Sequence, residues 1–235
     1  MSRFYGKLYV GGTCMRSTDM GALRKYCKEN EGGIFDTGYL TKNNFKFINK
    51  DSFRKFVSRL VDEEVLTPIS KGIYYIGNTR DCDLNEAVIK HYASYHEGMI
   101  GGLSLLYEFK LIRKKPEITV IYSNLTSGNK NIGNCSVKVM YSFLSPMTKM
   151  FFQTLNLIYF YDSVDADEGV NFVEILNKHL KAYDNFNIQF IDMRDKEKFP
   201  RFIYLELAKL LEKFHISNKV MEWYEAKDSS SFEKN

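Results

Sequence analysis

The chain has 235 residues, of which 44% are hydrophobic and 26% charged; these values sit near the averages for folded domains, set disordered and fibrous classes aside, and allow one large domain or two small ones. The formal net charge is only +4, too small by itself to mark a nucleic-acid binder. It is unevenly placed, because residues 1–78 hold 13 Lys and Arg against 8 Asp and Glu while residues 79–235 hold 20 against 21. A segment at +5 followed by one at −1 is the pattern of a basic unit that faces a polyanion, joined to a neutral unit with another task.

No stretch reaches the roughly 18 to 20 apolar residues of a bilayer span. The most apolar run, Met147 to Tyr161, is broken by Thr148, Lys149, Gln153 and Asn156, so no membrane partner is expected. The N-terminus, Met1-Ser2-Arg3-Phe4-Tyr5-Gly6, lacks the apolar core of a signal peptide, and a cytoplasmic location is expected. Cys14, Cys27, Cys82 and Cys135 form no CxxC pair and read as reduced, mostly packed thiols, with no metal and no cofactor expected.

In chain order, a short strand at Lys7 to Val10 precedes a helix from Ser17, capped by Ser17 or Thr18 and carrying Met20, Leu23 and Cys27 on one face. A short helix follows at Asp36 to Lys42, with Ile34, Phe35, Tyr39 and Leu40 on its apolar side. Phe53, Phe56, Val57, Leu60 and Val61 then repeat at i, i+3, i+4, i+7 and i+8 behind Asp51 as the expected cap, the clearest helical periodicity in the sequence. Two β-prone runs, Val65 to Ile69 and Ile73 to Ile76, flank a Ser70-Lys71-Gly72 turn in which Gly72 is expected at positive φ. Three helices closing into a tight hairpin is the order of a winged helix-turn-helix.

Beyond Gly77-Asn78 the pattern restarts: helices at Asp83 to Tyr95 and Gly98 to Phe109, strands at Glu117 to Ser123 and Cys135 to Ser142, and helices at Pro146 to Tyr161, Glu168 to Tyr183, Lys196 to Phe214 and Ser217 to Ala226. A short strand is expected at Asn187 to Asp192. The fold class is therefore α+β, with a winged helix-turn-helix domain at 1–78, a larger, mostly helical α/β domain at 79–227, and a tail at 228–235. A fragment beginning near Thr79 is expected to fold cooperatively, and residues from about 80 onward to suffice for the second domain's role.

The third helix leaves Ser52, Arg54, Lys55, Ser58 and Arg59 outside its apolar stripe. Its first half is the part of a recognition helix that meets base edges, and arginine is the side chain that bonds two guanine acceptors at once. Ser70 and Lys71 stand at the hairpin tip, where a wing touches phosphate. These seven residues form the expected contact surface for double-stranded DNA.

The stretches Gly33-Ile34-Phe35-Asp36, Phe56-Val57-Ser58-Arg59-Leu60-Val61 and Ser70-Lys71-Gly72-Ile73-Tyr74, followed by Glu97-Gly98-Met99-Ile100-Gly101-Gly102-Leu103-Ser104-Leu105-Leu106 and Pro116-Glu117-Ile118-Thr119-Val120, resemble the AbiEi-type antitoxins of type IV toxin/antitoxin (abortive infection) systems over roughly residues 30–160. The resemblance implies a repressor that binds its own promoter through the winged module. It also implies a C-terminal domain that counteracts a cognate nucleotidyltransferase-like toxin, without requiring a stable complex. Composition and spacing by themselves reach only a basic winged module beside a neutral α/β domain.

Signals for catalysis are weak, and no enzyme activity is expected. Asp165-Ala166-Asp167 has the form of a two-metal carboxylate pair but lacks the preceding Gly-Ser turn, and reads as a helix cap and dipole partner. His91 and His96 miss the i, i+4 spacing of a ligand pair, and His179 and His215 stand alone. Gly98 to Gly102 lacks both dinucleotide and P-loop spacing, and reads as small residues that let a helix pack closely. Two other readings remain open at this point: a ligand-sensing winged-helix regulator without a toxin, and a nucleic-acid-acting enzyme targeted by its winged helix.

Overall fold

The computed structural model describes residues 19–226 apart from 81, 95 and 96, with the backbone alone at 184 and 185. The strand expected at Lys7 to Val10, the caps Ser17 and Thr18, Cys14, His96 and the tail at 228–235 lie outside the described residues. The fold is α+β, with two small sheets among the helices. Among the described residues no helix is long and apolar enough to cross a membrane.

The first unit runs α1 (Asp19–Glu29), β1 (Ile34–Asp36), α2 (Thr37–Asn43), α3 (Lys50–Asp62), β2 (Leu66–Ser70) and β3 (Ile73–Ile76). Met20, Leu23 and Cys27 of α1 and Phe53, Val57 and Leu60 of α3 are buried and share a core with Phe35, Leu40, Phe45 and Leu66. Their i, i+3/i+4, i+7 spacing is what puts each set on one helical face. Phe56 and Val61 flank that stripe only partly buried. The cap of α3 is Asn49, whose side chain accepts from the Asp51 amide at 2.9 Å. Asp51 instead sits in the first turn, where a carboxylate suits the helix dipole but no longer serves as the cap.

Ile34 and Phe35, expected on the apolar side of the second helix, form β1 instead. It pairs antiparallel with β3, Ile34 opposite Tyr75 and Asp36 opposite Ile73. β2 pairs with the other edge of β3, with an irregularity between Pro68 and Ser70, as expected where proline removes a ladder donor. The hairpin turns at Gly72, whose φ of 74° lies in the region that favours glycine. Thr37 fastens this turn to the start of α2, since its amide and its hydroxyl both donate to the Gly72 carbonyl, at 3.0 and 2.9 Å.

The second sheet follows α4 (Leu84–Tyr92), which Asp83 caps through the Glu86 amide at 3.0 Å. Its strands are β4 (Gly98–Gly101), β5 (Thr119–Ser123), β6 (Lys130–Ile132) and β7 (Cys135–Val139), in the order β4-β5-β7-β6, with β5 and β7 parallel and the other pairs antiparallel. The helix expected from Gly98 is thus a strand followed by the short α5 (Gly102–Glu108). The cause is close approach rather than helix packing. A Cβ at Gly98 would strike the Tyr92 carbonyl, one at Gly101 the Tyr122 ring, and Gly102 turns the chain into α5 at a φ of 61°. β6 was hidden in the polar stretch 124–134, where only Ile132 is buried among its three residues.

The chain continues with α6 (Pro146–Tyr159), α7 (Gly169–Lys181), α8 (Arg201–Lys213) and α9 (Val220–Glu225). Phe151, Phe152 and Leu155 of α6 are fully buried against Leu180, Tyr204, Leu207 and Trp223. The strand expected at Asn187 to Asp192 is a 3-10 turn at Ile188–Phe190, because Ile188 and Ile191 are buried while Phe190 points outward, a spacing of three rather than two. The helix expected from Lys196 begins only at Arg201. Pro200 occupies its N-cap, and a 3-10 segment, Met193–Lys198, precedes it. Asp195 in that segment is fully buried and accepts from the amide and hydroxyl of Ser142 at 2.7 and 2.6 Å, with Lys198 at 3.2 Å.

A third core joins the two units. Ile34, Ile73 and Tyr75 of the first sheet pack with Val88 and Tyr92 of α4 and with Ile121, Ile132, Cys135 and Val137 of the second sheet. The sequence boundary near residue 78 therefore divides two sheets that share an apolar contact. Beside it Asp36, only 1% exposed, accepts from the Tyr92 hydroxyl at 2.5 Å and from the Lys130 ammonium at 2.7 Å.

Candidate nucleic-acid interface

α3 presents two exposed basic strips. On the side turned toward the β2–β3 hairpin, Lys50, Arg54 and Ser58 follow one another at i, i+4, i+8, one helical turn apart. Together with Thr37 and Thr41 of α2 and Ser70, Lys71 and Gly72 of the hairpin they line a groove of about 720 Å³. Phe53, Val57 and Tyr74 form its floor with Pro68 at the edge. Lys55 and Arg59 are exposed as well but do not line this groove; they lie about 100° or more around the helix from Arg54.

Of the seven residues expected to contact DNA, the structure gathers Arg54, Ser58, Ser70 and Lys71 at one groove. Lys55 and Arg59 stand apart on a neighbouring strip. Ser52, expected to face outward, is half-buried, because it lies on the far side of the helix from the groove, next to the buried stripe. Sequence reading missed Lys50, Thr37 and Thr41. Lys50 sits one turn ahead of Arg54 and was legible by that spacing, whereas the two threonines reach the groove only because Thr37 clasps the hairpin turn.

The cations here are largely free of intramolecular partners. Arg54 meets Asp51 at 3.5 Å with both side chains about 80% exposed, an arrangement worth little in water. Among the described residues Lys50, Lys55, Arg59 and Lys71 have no ion pair. Exposed arginine and lysine beside hydroxyls and a floor of aliphatic and aromatic carbon suit a phosphate backbone and the base edges beneath it.

Other candidate positions fall elsewhere. Asp165 accepts from the Arg113 amide at 2.7 Å and Asp167 pairs with the Arg113 side chain. Asp165 therefore does not cap α7, whose N-cap is Glu168 without a side-chain bond. Among the described residues no three His, Cys, Asp or Glu side chains are grouped to hold a metal ion. Burial pushes the thiols of Cys27 and Cys135 up to about 11, which keeps them protonated and unreactive at neutral pH. His91 and His179 each bury one ring nitrogen without a partner, and burial lowers the pKa of both.

No protein-family model matches the sequence, and neither does any curated protein.

Proposed function

We propose that this chain is a DNA-binding antitoxin, which represses its own promoter through the first unit and counteracts a nucleotidyltransferase-like toxin through the second. The observation that carries the DNA half is the basic groove between α3 and the β2–β3 hairpin, with Arg54, Lys50 and Lys71 exposed around it. The order α1-β1-α2-α3-β2-β3, with β3 central in its sheet, supports a winged helix-turn-helix reading of that unit, α3 being the recognition helix and the hairpin its wing. The +5 balance of residues 1–78 supports the same polyanionic partner.

The antitoxin half rests on the resemblance of residues 30–160 to the AbiEi-type antitoxins. On this reading the second unit acts as folded surface rather than as a catalyst. The experiment has two arms on the full chain. One is binding to a duplex from upstream of its own gene, over a salt series; the other is co-expression with the adjacent gene product, scored for restored growth. Binding without rescue would leave a promoter-binding regulator and remove the antitoxin assignment. Rescue without binding would remove the repressor assignment.

A further inference from the structure

Asp36 and Thr37 are consecutive residues that tie the start of α2 in opposite directions. Asp36 is the α2 N-cap: its Oδ1 accepts from the Gly38 and Tyr39 amides at 2.8 and 3.2 Å. Its Oδ2 takes the Tyr92 hydroxyl and the Lys130 ammonium, both from the second unit. Thr37 bonds twice to the Gly72 carbonyl in the hairpin turn, next to Lys71. A cleft of about 560 Å³ lies along this link, walled by Asp36, Tyr39 and Lys42 from the first unit and by Glu97, Thr126 and Lys130 from the second.

We infer that Lys130 and Tyr92 are positioning residues for DNA binding: by holding Asp36 they set where α2 places Thr37, and through Thr37 where the hairpin turn holds Lys71 opposite Arg54. The inference rests on the DNA reading of the groove and deepens it, since it gives the second unit control over the groove without touching DNA. A buried carboxylate with both oxygens engaged has no alternative partner, so its place is determined by the donors that surround it. The ion pair carries charge-assisted hydrogen bonds, which fix distance and direction better than apolar contact does. The Ile34, Ile73 and Tyr75 packing joins the two sheets, while the Asp36 link adds directed hydrogen bonds from the second unit to the start of α2.

The test uses the full chain and the promoter duplex at fixed salt, below the melting temperature of each variant. Lys130→Met is expected to weaken binding by about fivefold or more, the low end of ordinary inter-site coupling. That loss should largely vanish when measured in a Lys71→Ala background, because Lys130 acts through the position of Lys71. Lys130→Arg should restore most of the affinity. Lys138→Met removes the same charge from the exposed face of β7; it is expected to change binding little and to add independently to Lys71→Ala, which separates positioning from general electrostatics. Binding by Lys130→Met within twofold of the parent, or a loss fully additive with Lys71→Ala, would overturn the inference while leaving the DNA reading intact if Arg54→Ala still weakens binding. Absence of binding by the parent chain would overturn both.

Discussion

His91, in the last turn of α4, faces the rings of Tyr39 and Tyr92 edge-on and keeps its Nε2 buried without a partner. Burial pushes its pKa down from 6.5 to about 4; nearby Asp36 opposes that shift and Lys130 adds to it. The unfolded chain therefore takes up a proton below pH 6.5 that the folded chain refuses until about pH 4. Stability is full above that window, falls as pH drops through it, and is flat below it as far as this group is concerned. Over the whole window the loss is on the order of 3 kcal/mol. Asp36 acts in a different range: burial alone would raise its pKa, but the hydrogen bonds from Lys130 and Tyr92 outweigh it and bring the value below 3.8. Its stabilisation is present above pH 3.8 and disappears as pH falls through its lowered folded value. Denaturant unfolding of His91→Leu is therefore expected to flatten the slope between pH 6.5 and 4, leaving the part contributed by His179, whose pKa burial also lowers, and to keep the acid limb below it. A variant slope unchanged from the parent would assign that loss to another group. At this scale Gly72 is legible from sequence, since a tight turn between two β-prone runs demands positive φ. Asp36 is not, because its partners Tyr92 and Lys130 lie 56 and 94 residues away.

The turn from β4 into α5 depends on three glycines for separate reasons. Gly98 brings its backbone against the last turn of α4 at the Tyr92 carbonyl, Gly101 lies under the Tyr122 ring, and Gly102 holds a left-handed conformation. Gly98→Ala forces backbone against backbone, which no side-chain rotation relieves, and is expected to cost about 3 kcal/mol. Gly128→Ala is the control, since nothing lies within 4 Å of a Cβ there, and it should change stability by less than about 0.5 kcal/mol. Equal effects at the two sites in thermal melts would contradict the close approach at β4. The same segment marks where element type was not readable from sequence. Met99, Ile100, Leu103, Leu105 and Leu106 fit a helical stripe, and nothing local reveals that Met99 and Ile100 pair with Tyr122 and Ile121 of β5. By contrast, α3 was readable in type and apolar stripe, though not in its cap or in the placement of Ser52, since its pattern spans 13 residues and the hairpin after it has its own turn signal. Short elements such as β6 and the 3-10 turn at Ile188–Phe190 carry too few residues for either period to show.

On the scale of the whole molecule the charge division and the pattern restart near residue 78 fall between the two sheets. They do not show that the two units share a core. Removing residues 1–78 would uncover Val88, Tyr92, Ile121, Ile132 and Val137 on one side and leave Lys130 and the buried Tyr92 hydroxyl without their carboxylate. A fragment beginning at Thr79 is therefore expected to melt earlier than the full chain and with lower cooperativity, and to bind a hydrophobic dye that the full chain does not. Calorimetry and dye fluorescence on both proteins check this; a fragment with the melting temperature of the parent and no dye binding would mean that the shared core contributes nothing. The expectation that residues from about 80 suffice for toxin neutralisation thus requires a fragment that remains folded without its first sheet.

The 94-residue separation between Asp36 and Lys130 also imposes an order in time. At a synthesis rate of about 5 to 20 residues per second, roughly 5 to 20 s pass between the two residues leaving the ribosome. During that interval the nascent first unit has a carboxylate at its junction without the cation that it meets in the finished chain, and the faces of Ile34, Ile73 and Tyr75 wait for α4 and the second sheet. On the proposed function, and on the positioning role inferred for Lys130, a prematurely terminated chain would carry the basic helix and its hairpin with the groove no longer held as in the finished protein. On those two readings DNA occupancy would report completed chains rather than fragments of the chain.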